Sequence, residues 1–140
     1  MSDVIFVIPG EPKGKARPRV TRYGTYTPKS TKDFENHIRE CWQKLTGGAR
    51  LPDGVPLYAS IHAYFPVPKS YSKKKREQLL FTPHTKKPDC DNIAKAVLDS
   101  LNGYAFTDDS AVSVLHITKT YTDGPPYIGV TITDEMPLDI

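Results

Sequence analysis

Cysteine is nearly missing from this chain: Cys41 and Cys90 are its only two in 140 residues. Two thiols are too few for the disulfide framework of a small secreted scaffold. No secretory leader precedes the first apolar segment, and no apolar run approaches the ~20 residues that span a bilayer. Internal repeats and a linker that would divide two domains are lacking too. These absences exclude a disulfide-stapled mini-protein, a helical membrane protein and a repeat array. They predict one soluble, cytoplasmic domain long enough to bury its own core. Histidine chemistry has no support either, because His37, His62, His84 and His116 show no metal-ligand spacing.

Acid is scarce in the first part of the chain and base in the last. Residues 1–88 carry 17 Lys and Arg against 7 Asp and Glu, and residues 89–140 carry 2 against 9, a balance of +10 against −7. Such segregation predicts nucleic-acid contact by one region and cation binding by the other. Two basic runs stand out. Lys13, Lys15, Arg17, Arg19 and Arg22 interleave with Pro12, Gly14, Pro18 and Tyr23, which predicts a stiff, non-helical loop of closely spaced cations. Arginines there have no helical reason for their spacing and suit phosphate geometry. Lys69, Lys73, Lys74, Lys75 and Arg76 surround the start of a short helix that Ser72 can cap, and they read equally well as a solvated face.

The densest chemistry lies in Lys86-Lys87-Pro88-Asp89-Cys90-Asp91-Asn92-Ile93-Ala94-Lys95, followed by Asp108-Asp109. Carboxylate oxygens suit hard cations such as Mg²⁺, which one or two protein carboxylates hold while water and substrate phosphate complete the shell. Pro88 biases Lys87 towards an extended conformation. If Lys87 to Asp91 is extended throughout, Asp89 and Asp91 share one face and Cys90 turns to the other, towards the core. Asp91 or Asn92 then caps a helix from Ile93 to Leu101 that stops at Asn102-Gly103. Lys95, four residues after Asp91, points at whatever Asp91 holds. Each acid also has a plain structural reading: Asp89 as a turn, Asp91 as a cap paired with Lys95, and Asp108-Asp109 as a solvated turn.

The scaffold is α+β, a mixed sheet with helices packed on one face. Strands are predicted at Val4–Ile8, Leu57–Phe65, Val112–Tyr121 and Tyr127–Thr133, the last two joined by the turn Asp123-Gly124-Pro125-Pro126. Ser30-Thr31-Lys32-Asp33 opens a helix whose apolar face is Phe34, Ile38, Cys41, Trp42 and Leu45, ended by Gly47-Gly48. The domain is predicted over residues 1–133, with residues 134–140 as a mobile acidic tail containing Asp134, Glu135 and Asp139.

The run KPDCDNIAKAVLDSLNG…DDSAV, preceded by GEPKGKARPR and TYTPKST, resembles the RusA-type Holliday junction resolvases from Val4 to about Thr133. The resemblance implies a homodimeric endodeoxyribonuclease, bacterial or prophage-encoded, that makes paired symmetric nicks in four-way DNA junctions during recombination and repair. It implies Mg²⁺ as cofactor, with Mn²⁺ as the alternative. Asp89, Asp91 and Asp109 resemble the metal-binding acids, with Asp108 as alternate to Asp109, and Lys95 resembles the catalytic lysine. Lys13, Lys15, Arg17, Arg19, Lys86 and Lys87 are the expected DNA contacts. Cys90 stands where an aliphatic residue is expected. A nuclease for forks or flaps and a non-catalytic DNA-binding module are the competing readings.

Overall fold

The computed structural model describes residues 2–16 and 18–136. Its main sheet has four strands, β1 (Asp3–Pro9), β4 (Leu57–Pro66), β5 (Val112–Thr122) and β6 (Tyr127–Thr133), in the order β1-β6-β4-β5. β6 runs antiparallel to both β1 and β4, whereas β4 and β5 are parallel, so the sheet is mixed as expected. Between β1 and β4 lie a two-stranded hairpin, β2 (Arg19–Thr21) with β3 (Gly24–Tyr26), and the long helix α1 (Lys29–Thr46). Between β4 and β5 lie α2 (Lys73–Leu79), α3 (Cys90–Leu101) and one 3₁₀ turn, Asp109–Ala111.

Alternation along β4 sets the layers. Leu57, Ala59, Ile61, Ala63 and Phe65 are buried while their neighbours are only half-buried, and β1 and β6 repeat the pattern. α1 packs on β1 and on α3, and α3 reaches β5, so one face of the sheet carries the core. α3 contributes a wide apolar surface: Ile93, Ala94, Ala96, Val97, Leu98 and Leu101 are buried. α1 contributes Phe34, Ile38 and Trp42, and the Trp42 indole N–H donates to Ala49 O at 3.0 Å.

Parallel neighbours cannot be joined by a tight turn and need a long crossover. Here the crossover from β4 to β5 is the part of the chain that holds the predicted acids. It places Asp89 and Asp91 at the start of α3 and Asp109 at the entry to β5.

Several expectations change. α3 begins three residues early, at Cys90, with Asp89 as its extended N-cap residue (φ −72°, ψ 153°). The bias that Pro88 imposes reaches only the residue before it, so nothing keeps residues 90 and 91 extended. Asp91 therefore sits in the first helical turn, and strand alternation does not put it on one face with Asp89. Cys90 is half-buried rather than a core residue. Leu45, expected on the apolar face of α1, is 52 % exposed. The basic stretch read as a loop becomes the β2–β3 hairpin from Arg19 onward. Asp134 is held at the sheet edge, where its carboxylate accepts from the Ser2 amide at 2.8 Å and its own amide donates to Ser2 O at 3.2 Å. Asp139 lies outside the described residues.

Candidate functional site

The polar edge of α3 is what its apolar face leaves over. Asp91 and Lys95 are exposed, Asp99 is half-buried, and the three are spaced four residues apart on one flank. At 1.5 Å per residue, Asp91 and Asp99 stand about 12 Å apart along the axis. Asp89, just before the helix, uses its carboxylate to pair with the Lys87 ammonium at 2.7 Å instead of capping its own helix. Both groups are well exposed, so this ion pair adds little to stability and leaves Asp89 free to exchange partners.

At the other end of the helix the acidic doublet divides. Asp108 accepts a hydrogen bond from Ser110 Oγ at 2.7 Å, which together with Asn102 holds its carboxyl below the ordinary carboxylate range. Burial pushes Asp109 the other way, and the negative charges of Asp108 and Asp99 add to the rise. Asp109 is the half-buried member of the pair and lies within electrostatic reach of Asp99. Burial is the larger cause of that rise and the two neighbouring carboxylates the smaller, and a cation bound beside Asp109 would favour its charged form.

Among the described residues, no three His, Cys, Asp or Glu side chains are grouped closely enough to form a ready-made metal shell. Asp89 and Asp91 stand near one end of α3 and Asp109 beside Asp99 at the other. The donor chemistry nevertheless fits a hard divalent cation: every donor is a carboxylate oxygen, and such ions keep several waters and need only one or two protein carboxylates.

The basic segment is docked against this helix. The Lys15 amide donates to Asn92 O at 3.1 Å, and the Lys15 ammonium donates to Asp99 Oδ2 at 2.7 Å and lies 3.4 Å from Glu35 Oε1 on α1. Burial works against the Lys15 charge, but the hydrogen bond and charge of Asp99, with those of Glu35, outweigh it and raise its pKa above the usual lysine value. Lys15, expected at DNA phosphates, is therefore engaged inside the protein. Gly14 makes the approach feasible: a Cβ there would stand 2.9 Å from Asn92 Cβ and 3.1 Å from Pro88 Cβ. Glu35 also faces Arg39 at 3.5 Å, and Arg39 Nε donates to Ser100 O at 2.8 Å, so the same network joins α1 to α3.

Of the other expected DNA contacts, Lys13, Arg19, Lys86 and Lys87 are exposed, and Arg17 lies outside the described residues. The Lys86 ammonium donates to the Tyr71 hydroxyl at 2.8 Å, and Lys75 lies 3.9 Å over the Tyr71 ring. Lys86 and Lys87 thereby extend the cations of α2 towards Asp89.

Two supporting residues have partners that the sequence does not name. Asp99 reads from sequence as either a support of the site or a solvated acid, and nothing local names a partner 84 residues away. Lys119, on β5, donates to Lys86 O at 2.5 Å and Pro88 O at 2.8 Å and holds the backbone that leads into α3. Its signal was present: Lys119 occupies the strand alternation of Ile117 and Tyr121, on the covered side. A lysine there needs carbonyl partners.

Gly14→Ala forces the docked loop off α3, and Asp99→Asn removes the principal partner of Lys15. Each is expected to cost about 1–3 kcal/mol, between the values for exposed and buried pairs or for overpacking. Each should also make the chain after Lys13 and Lys15 more sensitive to trypsin. Thermal denaturation and limited proteolysis check this, and wild-type protection in both variants would show that the loop is not held by these contacts.

Residues 9–133 match the family Endodeoxyribonuclease RusA. The chain is also 34 % identical over 137 residues to YqaN of Bacillus subtilis strain 168, itself described as an uncharacterized protein, with 89 % of this chain and 92 % of that protein covered. The family match runs from the last residue of β1 to the end of β6 and includes the acid-bearing crossover and the docked basic loop. The chain belongs to the RusA family of endodeoxyribonucleases.

Proposed function

We propose that this protein is a Mg²⁺-dependent endodeoxyribonuclease that resolves four-way DNA junctions by paired nicks, as a homodimer, in recombination and repair. The observation that supports it most is the contact of opposite charges: a cation-bearing loop packed through Gly14 and Lys15 on the helix that carries Asp91, Lys95 and Asp99. Phosphates drawn to Lys13, Arg19, Lys86 and Lys87 would pass beside those acids. Asp89 and Asp91 would hold a cation at the start of α3, and Asp109 one beside its far end, because the shell of a single ion does not span the helix. When bound, a divalent cation polarises a phosphoryl oxygen and brings water towards hydroxide near neutral pH.

The chain's own residues do the rest. Lys95, exposed on α3 one turn after Asp91, would offset the charge that builds on the phosphorus-bound oxygens during attack. Lys87 would release Asp89 as phosphate or cation arrives, an exchange that costs little because the pair is solvated. Two symmetry-related strands must be cut in a junction, and a two-fold dimer presents two such sites with matching symmetry. The sheet face without helices suits that contact: Tyr58, Ser60, His62, Tyr64 and Tyr127 carry no formal charge there for a phosphate backbone to use.

Asp91→Asn tests the metal-binding role. Asn is nearly isosteric, and Asp91 is exposed, so melting temperature should stay within about 2 °C of wild type, as for most surface substitutions. Junction cleavage should fall by at least a hundredfold under single-turnover conditions, comparable to loss of one strong electrostatic group. Gel-shift affinity for the junction should hold or tighten, because a negative charge near the phosphates is gone. Cleavage near the wild-type rate would return Asp91 to a structural role. Separately, sedimentation at micromolar concentration should give a dimer; a monomer that still cuts both junction strands would remove the two-fold scheme.

A further inference from the structure

The hairpin β2–β3 stands apart from the main sheet, and every residue from Pro18 to Tyr26 is exposed. Tyr23 is 85 % exposed, Val20 79 % and Tyr26 49 %. A two-stranded hairpin without a buried face is only marginally stable in water, and these apolar groups contribute no core to it. Local bonds shape the turn instead. Thr21 Oγ1 donates to Gly24 O at 3.1 Å and accepts from the Tyr23 amide at 3.2 Å, while Gly24 takes φ +126°, a conformation that disfavours other residues.

The two tip residues form one unit. The Arg22 guanidinium carbon lies 4.9 Å from the Tyr23 ring centroid, and Arg22 Nη2 donates to the Tyr23 hydroxyl at 2.8 Å. The tip therefore presents an aromatic plane, already oriented, with a planar cation against it. Its surroundings are cationic: from Lys13 to Lys32 the sequence contains no acid. A protein partner of ordinary composition has no special claim on such a surface, whereas a polyanion with flat apolar faces does.

We infer that this hairpin is a base-stacking wedge: Tyr23 takes the face of an unstacked base at a DNA branch point, with Arg22 and Arg19 on the flanking phosphates. The inference rests on the nuclease reading above and names what gives that site its substrate shape. In linear duplex both faces of an interior base are covered by neighbours, so the Tyr23 ring finds no partner there. At a junction or fork the stack is interrupted and a face is free. Base–aromatic stacking is independent of base identity, so the wedge selects for shape and not for sequence. The Gly14–Lys15 dock anchors the chain on α3 four residues before β2, which tethers the hairpin to the element that carries the acids.

Tyr23→Ala tests this, and the exposure of the side chain makes misfolding no obstacle. Binding is measured in EDTA on a four-way junction, a fork and a linear duplex of equal length, each with 2-aminopurine at the branch or the equivalent position. Wild type should raise 2-aminopurine fluorescence at the branch. Tyr23→Ala should lose that rise and weaken junction and fork binding about tenfold, while duplex binding changes less than about twofold. Tyr23→Phe and Tyr23→Trp should retain both properties. Equal losses on all three DNAs, an unchanged fluorescence rise in Tyr23→Ala, or a Tyr23→Ala protein that sediments as a monomer beside dimeric wild type would each overturn the wedge. Wild type that cuts junctions with Tyr23→Ala unaltered sinks the wedge alone. Wild type that binds none of the three DNAs sinks the nuclease reading and the wedge with it.

Discussion

The half-buried ammonium of Lys15, held between Asp99 and Glu35, is the contact on which the functional arrangement depends. The chain is basic in its first part and acidic in its last, and the Lys15–Asp99 pair joins the two parts over a separation of 84 residues. Lys15 draws one acid from α3 and one from α1, so a single cation sets the loop against both helices. A loop of such composition would otherwise pay about 1–2 kcal/mol per residue to be ordered on arrival of DNA. Pro12, Pro18 and the Gly14 contact lower that cost further by limiting what the free loop can explore. Binding surfaces ordered in advance convert more of their contact energy into affinity.

The same arrangement explains how acids and phosphates can share one surface. Asp91, Asp99 and Asp109 are aligned along or beside one helix, and burial, with the charges of Asp108 and Asp99, raises the Asp109 carboxyl pKa. Unbalanced negative charge repels DNA, and Lys15 neutralises part of it from within while Lys13, Arg19, Lys86 and Lys87 remain outward. The protein thus keeps a local deficit of positive charge suited to a cation inside a wider field that attracts phosphate.

Much of this was legible in the sequence because it is periodic or compositional. The 3.6-residue apolar stripe of α1 and the alternation of β4 follow from side-chain spacing alone, whereas the parallel pairing that makes the acid-bearing segment a crossover does not. What stayed hidden was two-partner chemistry. Asp91 as cap was a fair reading of a carboxylate near a helix start, but Asp89 takes the N-cap position because the proline constraint ends at Lys87. Lys15 looked like one more phosphate ligand, and only the fold brings Asp99 and Glu35 to it. Lys119 was marked by its place on the covered side of β5, and its carbonyl partners arise from a chain segment more than thirty residues earlier. The hairpin escaped because Gly and Tyr at its tip signal a turn without saying that the flanking strands pair.

The central claim is that the acids on α3 and the docked basic segment form one nuclease site for branched DNA. Strand-by-strand mapping of cleavage on a synthetic four-way junction tests it most directly, with each strand labelled in turn and Mg²⁺ present or chelated. The account predicts nicks at symmetry-related positions in two opposed strands, dependent on Mg²⁺, with a linear duplex of the same sequence left intact. Cleavage of the linear duplex at the same rate, or nicks that persist in chelator, would contradict it.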